Sequence, residues 1–180
     1  IAITLKEKDE VVAASALTKK DELLLISKKG MSLRFTADDD ALRPMGRSAT
    51  GVIGMKFRSG DELLSMATIR NEKKTENLFV ITATDGGFGK RTNLDEYRSQ
   101  GRGGIGVKAA KIDEGSRGVL VGALIVKESD EILLITSSGV VMRTPVKEVR
   151  ETGRDTMGVR VVNLDQGTEV VSLTKVSEEE

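Results

Sequence analysis

Three copies of one short motif constrain this chain more than any other feature of it. Gly46-Arg47 with Gly51, Gly101-Arg102 with Gly106, and Gly153-Arg154 with Gly158 each read Gly-Arg-x-x-x-Gly, and a valine follows each copy (Val52, Val107, Val159). The opening glycines stand 55 and 52 residues apart. Upstream, in the same register, an apolar run precedes a glycine, and an arginine follows that glycine four residues later. The instances are Leu23-Leu24-Leu25-Ile26 with Gly30 and Arg34, Leu78-Phe79-Val80-Ile81 with Gly87 and Arg91, and Ile132-Leu133-Leu134-Ile135 with Gly139 and Arg143. A period near fifty residues marks a blade or solenoid unit.

Within a unit the pattern is one of short strands joined by turns. Lys28-Lys29-Gly30 turns after the first apolar run, and Met31-Ser32-Leu33-Arg34-Phe35 then alternates with period two, which spells a hairpin. Asp85-Gly86-Gly87 and Ser137-Ser138-Gly139 turn at the equivalent places, where glycine supplies the positive φ of a tight hairpin. After the motif come a strand over Val52–Phe57, a Gly60-Asp61 turn and a strand over Glu62–Ala67. The last unit matches with Val159–Val162, Gln166-Gly167 and Glu169-Val170-Val171. About four strands per unit is the content of one propeller blade. Leu94–Arg98 and Val146–Arg150 each have room for one helical turn. Lys8-Asp9-Glu10-Val11-Val12 parallels Gly60-Asp61-Glu62-Leu63-Leu64, so Ile1–Leu17 reads as the second half of a blade and the chain as a fragment of something longer. The expected boundaries are a half-blade at 1–18, blades at 19–72, 73–126 and 127–176, and an acidic tail at 177–180. A charged linker is expected at Asn71–Asn77.

Composition narrows the chemistry. The chain has 180 residues, 38% hydrophobic, which is enough for a sizeable core. It has no Cys and no His, so disulfides, thiolate metal sites and the commonest general base are missing. No run approaches a membrane span, and no signal-peptide layout is present, so the expected setting is cytoplasmic. Lys+Arg and Asp+Glu are equal at 28 each, but they are unevenly placed. Lys90, Arg91, Arg98, Arg102, Lys108 and Lys111 crowd a stretch holding only Asp95 and Glu96, while Asp38-Asp39-Asp40 and Glu178-Glu179-Glu180 lie elsewhere. Zero net charge is therefore compatible with a basic face.

Two familiar phosphate motifs are excluded by context. Gly101-Arg102-Gly103-Gly104-Ile105-Gly106 matches the dinucleotide fingerprint in letters, but the polar segment Asn93–Gln100 stands where a strand is needed. Gly86–Thr92 lacks the first glycine of a P-loop, and Arg91 follows its lysine where Ser or Thr is needed. What remains is the loop from Tyr97 to Lys108. Its glycines let a backbone lie near a phosphate, and Arg98, Arg102 and Lys108 supply charge. The competing assignment makes the glycines turn formers and the arginines internal ion-pair partners, and three arginines in register favour a shared surface. Aromatics are only 3% (Phe35, Phe57, Phe79, Phe88, Tyr97) and sit mostly in strand patterns, which points to duplex held by its phosphates rather than stacked single strands.

On these motifs the chain resembles the C-terminal domain of the DNA gyrase A protein, in the type II topoisomerase A-subunit family. The family's box reads Gln-Arg-Arg-Gly-Gly-Lys-Gly. Gln100-Gly101-Arg102-Gly103-Gly104-Ile105-Gly106 keeps the Gln, the second Arg and the three glycines, with Gly101 and Ile105 in place of two cations. The resemblance implies an all-β β-pinwheel of four-stranded blades that exchange strands, present here as a partial ring. It also implies that duplex DNA wraps non-specifically on a basic rim to direct strand passage and negative supercoiling, with the rest of gyrase A and gyrase B as partners. No catalytic residue, metal or cofactor is expected in this segment, since ATP and Mg2+ act elsewhere in the holoenzyme, and Tyr97 matches no DNA-cleaving motif. The expected DNA contacts are Arg34, Arg47, Lys90, Arg91, Arg98, Gln100, Arg102, Gly103, Gly104, Lys108, Lys111, Arg143 and Arg154. Competing readings are the topoisomerase IV counterpart and a propeller that serves as a protein-interaction platform, with arginines scattered over blade tops.

Overall fold

The computed structural model describes residues 3–71 and 77–176. The first unit contributes β1 (Glu22–Ser27), β2 (Met31–Thr36) and β3 (Leu63–Ile69). The second contributes β4 (Leu78–Thr84), β5 (Phe88–Asn93), β6 (Val107–Lys108) and β7 (Leu120–Lys127). The third contributes β8 (Glu131–Thr136), β9 (Val141–Pro145), β10 (Val159–Arg160) and β11 (Val170–Lys175). Helix among the described residues is confined to single 3-10 turns at Leu94–Glu96 and Val146–Glu148, inside the two stretches expected to turn.

The antiparallel sheets run β3-β1-β2-β6, β10-β5-β4-β7 and β11-β8-β9. The sheets do not coincide with the sequence units. β6 follows the second motif but pairs with β2 of the first unit, placing Met31 opposite Lys108 and Ser32 opposite Val107. β10 follows the third motif and pairs with β5, placing Val159 opposite Gly89. Each four-stranded blade is thus completed by the unit after it.

Stacking explains why the apolar runs are continuous rather than alternating. A strand buried on both faces needs apolar residues at every position. Along β4, Val80 enters a core shared with Leu24 and Ile26 of the first sheet, while Phe79, Ile81 and Ala83 enter a core shared with Ile132 and Leu134 of the third. β7 touches both β3 and β11, so the strands that close the three units line up beside one another. Full burial of each Leu, Ile or Phe contributes about 1.5–3 kcal/mol.

The hairpin turns repeat atom for atom. Ser27, Thr84 and Thr136 each accept, through the side-chain oxygen, the amide of the residue after the turn glycine (Met31, Phe88, Val140). Their carbonyls accept the amides of Gly30, Gly87 and Gly139, all at φ near +80°. The loss of one backbone partner in a turn is met by a hydroxyl placed four residues back.

Three expectations need correction. Val52–Phe57 forms no strand, because no sheet among the described residues offers it an edge, and Val52, Ile53 and Phe57 stay exposed. Residues 3–18 likewise form no strand, and the tie to Thr68 is a hydrogen bond to the Ser15 hydroxyl at 2.9 Å. The third sheet has three strands, so the count of three complete blades is one strand too generous. Most of the expected linker at 71–77 and all of the tail at 177–180 lie outside the described residues.

The last glycine of the motif is the tightest point of the exchange. Gly106 sits at φ +81°, and a Cβ there would lie 1.9 Å from the Ser32 carbonyl oxygen. Gly51 has the same φ but nothing within 4 Å of such a Cβ. Gly106→Ala should therefore destabilise the chain by roughly 3 kcal/mol or more, from backbone strain plus displacement of β6. Gly51→Ala should cost about 1–2 kcal/mol from conformation alone. Urea unfolding midpoints of the two variants measure the difference.

Candidate nucleic-acid interface

The three motif loops are fastened to one another in series. Arg102 Nη1 donates to the carbonyl of Ile53, 2.6 Å away, and Ile53 is the second residue after the first loop's last glycine. Arg154 Nη1 donates to the carbonyl of Lys108, 2.9 Å away, and Lys108 is the second residue after the next loop's last glycine. A reciprocal bond runs the other way. The amide of Lys56 donates to Gly104, and that of Lys111 to Thr156, at 2.8 and 3.0 Å. Lys56 and Lys111 each stand five residues after a motif's last glycine, and each acceptor stands two residues before the next one. Arg47, Arg102 and Arg154 are equivalent in register, and for the latter two the equivalence extends to the hydrogen bond.

The other arginine set is also in register but works inward. Arg34 donates to Glu22 at 3.0 and 2.5 Å and, through Nη1, to the carbonyls of Leu94 and Tyr97 at 3.2 and 3.1 Å. Arg91, 9% exposed, donates to Glu128 at 2.8 Å and lies 4.9 Å from the Phe79 ring centroid. Arg143 is exposed and pairs with Glu131. In each unit the residue twelve positions upstream (Glu22, Phe79, Glu131) is a diagonal neighbour across the hairpin, which suits a carboxylate or a ring face. Arg34 and Arg91 are withdrawn as surface contacts because their guanidinium groups are occupied within and between blades.

Lys90 is corrected more sharply. It is 1% exposed, and its ammonium donates to the Gly153 carbonyl at 2.8 Å, to the Arg154 carbonyl and to the Thr156 hydroxyl at 3.3 Å. Burial pulls its pKa from the ordinary 10.5 to about 8; Glu96 and Asp155 oppose that pull and Arg154 adds to it. The register-equivalent residues are Leu33 and Met142, so a cation has replaced an apolar side chain beneath the third loop.

The remaining candidates fall on the outside. Arg47, Arg98, Lys108 and Lys111 are exposed, and Lys108 pairs with Asp155 at 3.1 Å. Gln100 and Arg102 are half-buried, and Gln100 Nε2, Arg102 Nε and Arg154 Nε make no hydrogen bond among the described residues. Gln100, Gly101 and Arg102 line a recess of about 380 Å3 together with Asp38 and Asp40. Gly103 lies at φ +80°, and a Cβ there would meet nothing closer than 3.5 Å, so conformation, not crowding, requires glycine. At Gly104 a Cβ would meet nothing closer than 3.8 Å. Sequence reasoning missed Lys56, whose signal is its offset from Gly51, identical to that of Lys111 from Gly106. It also missed Arg160, which stacks 4.8 Å from the centroid of the Phe88 ring, a ring that Arg117 also approaches at 4.5 Å.

The acidic side of the interface is as regular as the basic one. Glu96, at the end of the 3-10 turn, accepts the backbone amide of Arg154 at 3.0 Å and is exposed. Asp39, Glu96 and Glu148 each stand five residues after an in-register arginine.

Lys90 generates a pH dependence with a definite sign. Between its folded pKa of about 8 and its ordinary 10.5, the unfolded chain binds a proton that the folded chain does not. Stability contributed by this group therefore rises with pH across that window, by a few kcal/mol at most. Lys90→Met should flatten the rise, as read from urea midpoints at about pH 7.5 and pH 10.

Comparison with known proteins fits this geometry. A family profile described as DNA gyrase C-terminal domain, beta-propeller, matches residues 1–18, 21–70, 79–127 and 130–177. The DNA gyrase A protein of Streptomyces coelicolor is 58% identical over 99% of the chain, and that of Mycobacterium tuberculosis is 45% identical over 99%. The chain spans about a fifth of the length of these relatives (21% of each). Among solved structures, a DNA gyrase A C-terminal domain superposes with a TM-score of 0.85 at 32% identity, covering 97% of this chain and 57% of that one. A DNA topoisomerase IV C-terminal domain superposes with a TM-score of 0.87 at 27% identity, covering 97% and 52%.

Proposed function

The chain belongs to the DNA gyrase C-terminal domain family, and from that membership we propose that it holds duplex DNA along the rim where its motif loops follow one another. The observation that carries the reading is the serial fastening of those loops, Arg102 to Ile53 and Arg154 to Lys108. It gives successive phosphate-facing loops a fixed spacing, which a polymer of regularly spaced charges requires. Exposed Arg47, Lys56, Arg98, Lys108 and Lys111 supply the attraction, and Gly103 and Gly104 allow close backbone approach. Phe57 is the one exposed aromatic side chain, while Tyr97 is buried and Phe88 is covered by Arg117 and Arg160, and so few free rings for base stacking favour duplex over single strands.

In the parent protein this segment acts as the DNA-wrapping part of gyrase A, in the cytoplasm, beside the rest of gyrase A and gyrase B. Wrapping presents a nearby segment of the same duplex for strand passage and so introduces negative supercoils. ATP, Mg2+ and the DNA-cleaving chemistry belong to other parts of that enzyme. Tyr97 suits no cleaving role, as it is 1% exposed and burial holds its phenol far above the usual range. The higher identity with gyrase relatives supports gyrase over topoisomerase IV.

Duplex affinity should fall by roughly 0.9 log units per log of salt for each phosphate neutralised. Lys111→Ala should weaken binding alike on unrelated sequences and lower that slope by about one unit. Arg34→Ala should instead lower the unfolding midpoint and leave the slope unchanged. Fluorescence anisotropy over a salt series, with urea unfolding beside it, reads all three. An affinity that does not change with salt removes the wrapping role.

A further inference from the structure

We propose that the Glu96 carboxylate stands where a DNA phosphate binds, and that the Gly153-Arg154 turn is a phosphate subsite which duplex occupies by displacing it. The inference rests on the DNA-holding reading above and names a site within it. The Arg154 amide donates to Glu96 Oε2 at 3.0 Å. The same oxygen lies 3.6 Å from where a Cβ on Gly153 would be, an ordinary contact distance, so the anion rests directly against this turn. Beneath the turn, the buried Lys90 ammonium gathers the carbonyls of Gly153 and Arg154. The carbonyls are thereby drawn inward, the Arg154 amide is left to face the exposed carboxylate, and a full positive charge lies under the turn. An outward amide over a buried cation is an anion site by construction.

Glu96 is suited to be displaced. It is exposed, and among the described residues its carboxylate makes no ion pair and no hydrogen bond other than that to Arg154. A phosphate can place one oxygen on the same amide and leave its others free for cations, and Arg98, Lys108 and Lys111 stand exposed on the flanking segments. Asp155 already neutralises part of that charge through Lys108. The offset of this acid recurs in the sequence. Asp39 takes the same register position before the second loop, where Asp38 and Asp40 share a recess with Gln100 and Arg102. Glu148 takes it in the third unit. Of the three acids at this offset, Glu96 is the one that reaches a motif loop among the described residues; Asp39 pairs instead with Lys19.

The test compares Glu96→Ala with Asp95→Ala in the full chain, since Asp95 is an exposed neighbour whose side chain makes no bond to the loop among the described residues. Glu96→Ala should tighten duplex binding by about fivefold at moderate salt, and Asp95→Ala by much less. Glu96→Gln, nearly the same shape, should move in the same direction. In parallel, inorganic phosphate is titrated against the amide NMR spectrum. The Arg154 amide should shift at low millimolar phosphate in Glu96→Ala and only weakly in the unaltered chain. Equal gains from Glu96→Ala and Asp95→Ala, or an unmoved Arg154 amide in Glu96→Ala, overturns the subsite. Failure of the unaltered chain to bind duplex overturns the wider reading instead, while the phosphate titration still judges the subsite.

Discussion

Two backbones meet more closely here than side chains would allow. The Ser32 carbonyl stands nearer to Gly106 than a methyl group could tolerate, and Gly89 stands against Gly158 in the same way, with a Cβ there 2.4 Å from the Gly89 oxygen. These contacts let β6 and β10 leave their own units and complete the sheets before them. Once that exchange is made, the loop preceding each borrowed strand is fixed on the neighbour's edge. The arginine staples, the reciprocal lysine amides and the Lys90 clamp all depend on it.

Much of this is legible in the residues. Apolar runs closed by a glycine turn announced the hairpins, and the in-register arginines and motif glycines announced a repeat. What pattern does not convey is which way a cation faces. Lys90 and Arg91 are consecutive on one strand, and pleating alone sends them to opposite faces, yet both find partners inside: one among carbonyls, the other between Glu128 and Phe79. Lys56 escaped notice for a related reason. It belongs to a segment that reads as a strand, and its role emerges only from the hydrogen bond that places it beside Gly104. Val52–Phe57 shows the limit of local propensity, because a strand without an edge to join keeps its sequence character and lacks the structure.

Charge balance follows from the same architecture. A basic rim built of repeated loops repels itself, and the chain carries as many acids as bases. The acids are not scattered. Glu22 and Glu131 neutralise arginines within hairpins, Asp155 meets Lys108, Asp39 meets Lys19, and Glu96 meets the Arg154 amide. Zero net charge is therefore a local arrangement repeated along the chain, and it leaves the outermost lysines and arginines facing solvent.

The offset between sheet and sequence unit bears on how such a protein lengthens. If each blade were closed by its own four strands, joining blades would require new contacts at every seam. Here the seam lies inside the sheet, because a unit such as the second both lends a strand backward and receives one from ahead. A duplicated stretch of one period carries a lender and a receiver together, wherever in the period the duplication begins. An array joined in this way can gain or lose a whole unit with every internal backbone pairing preserved.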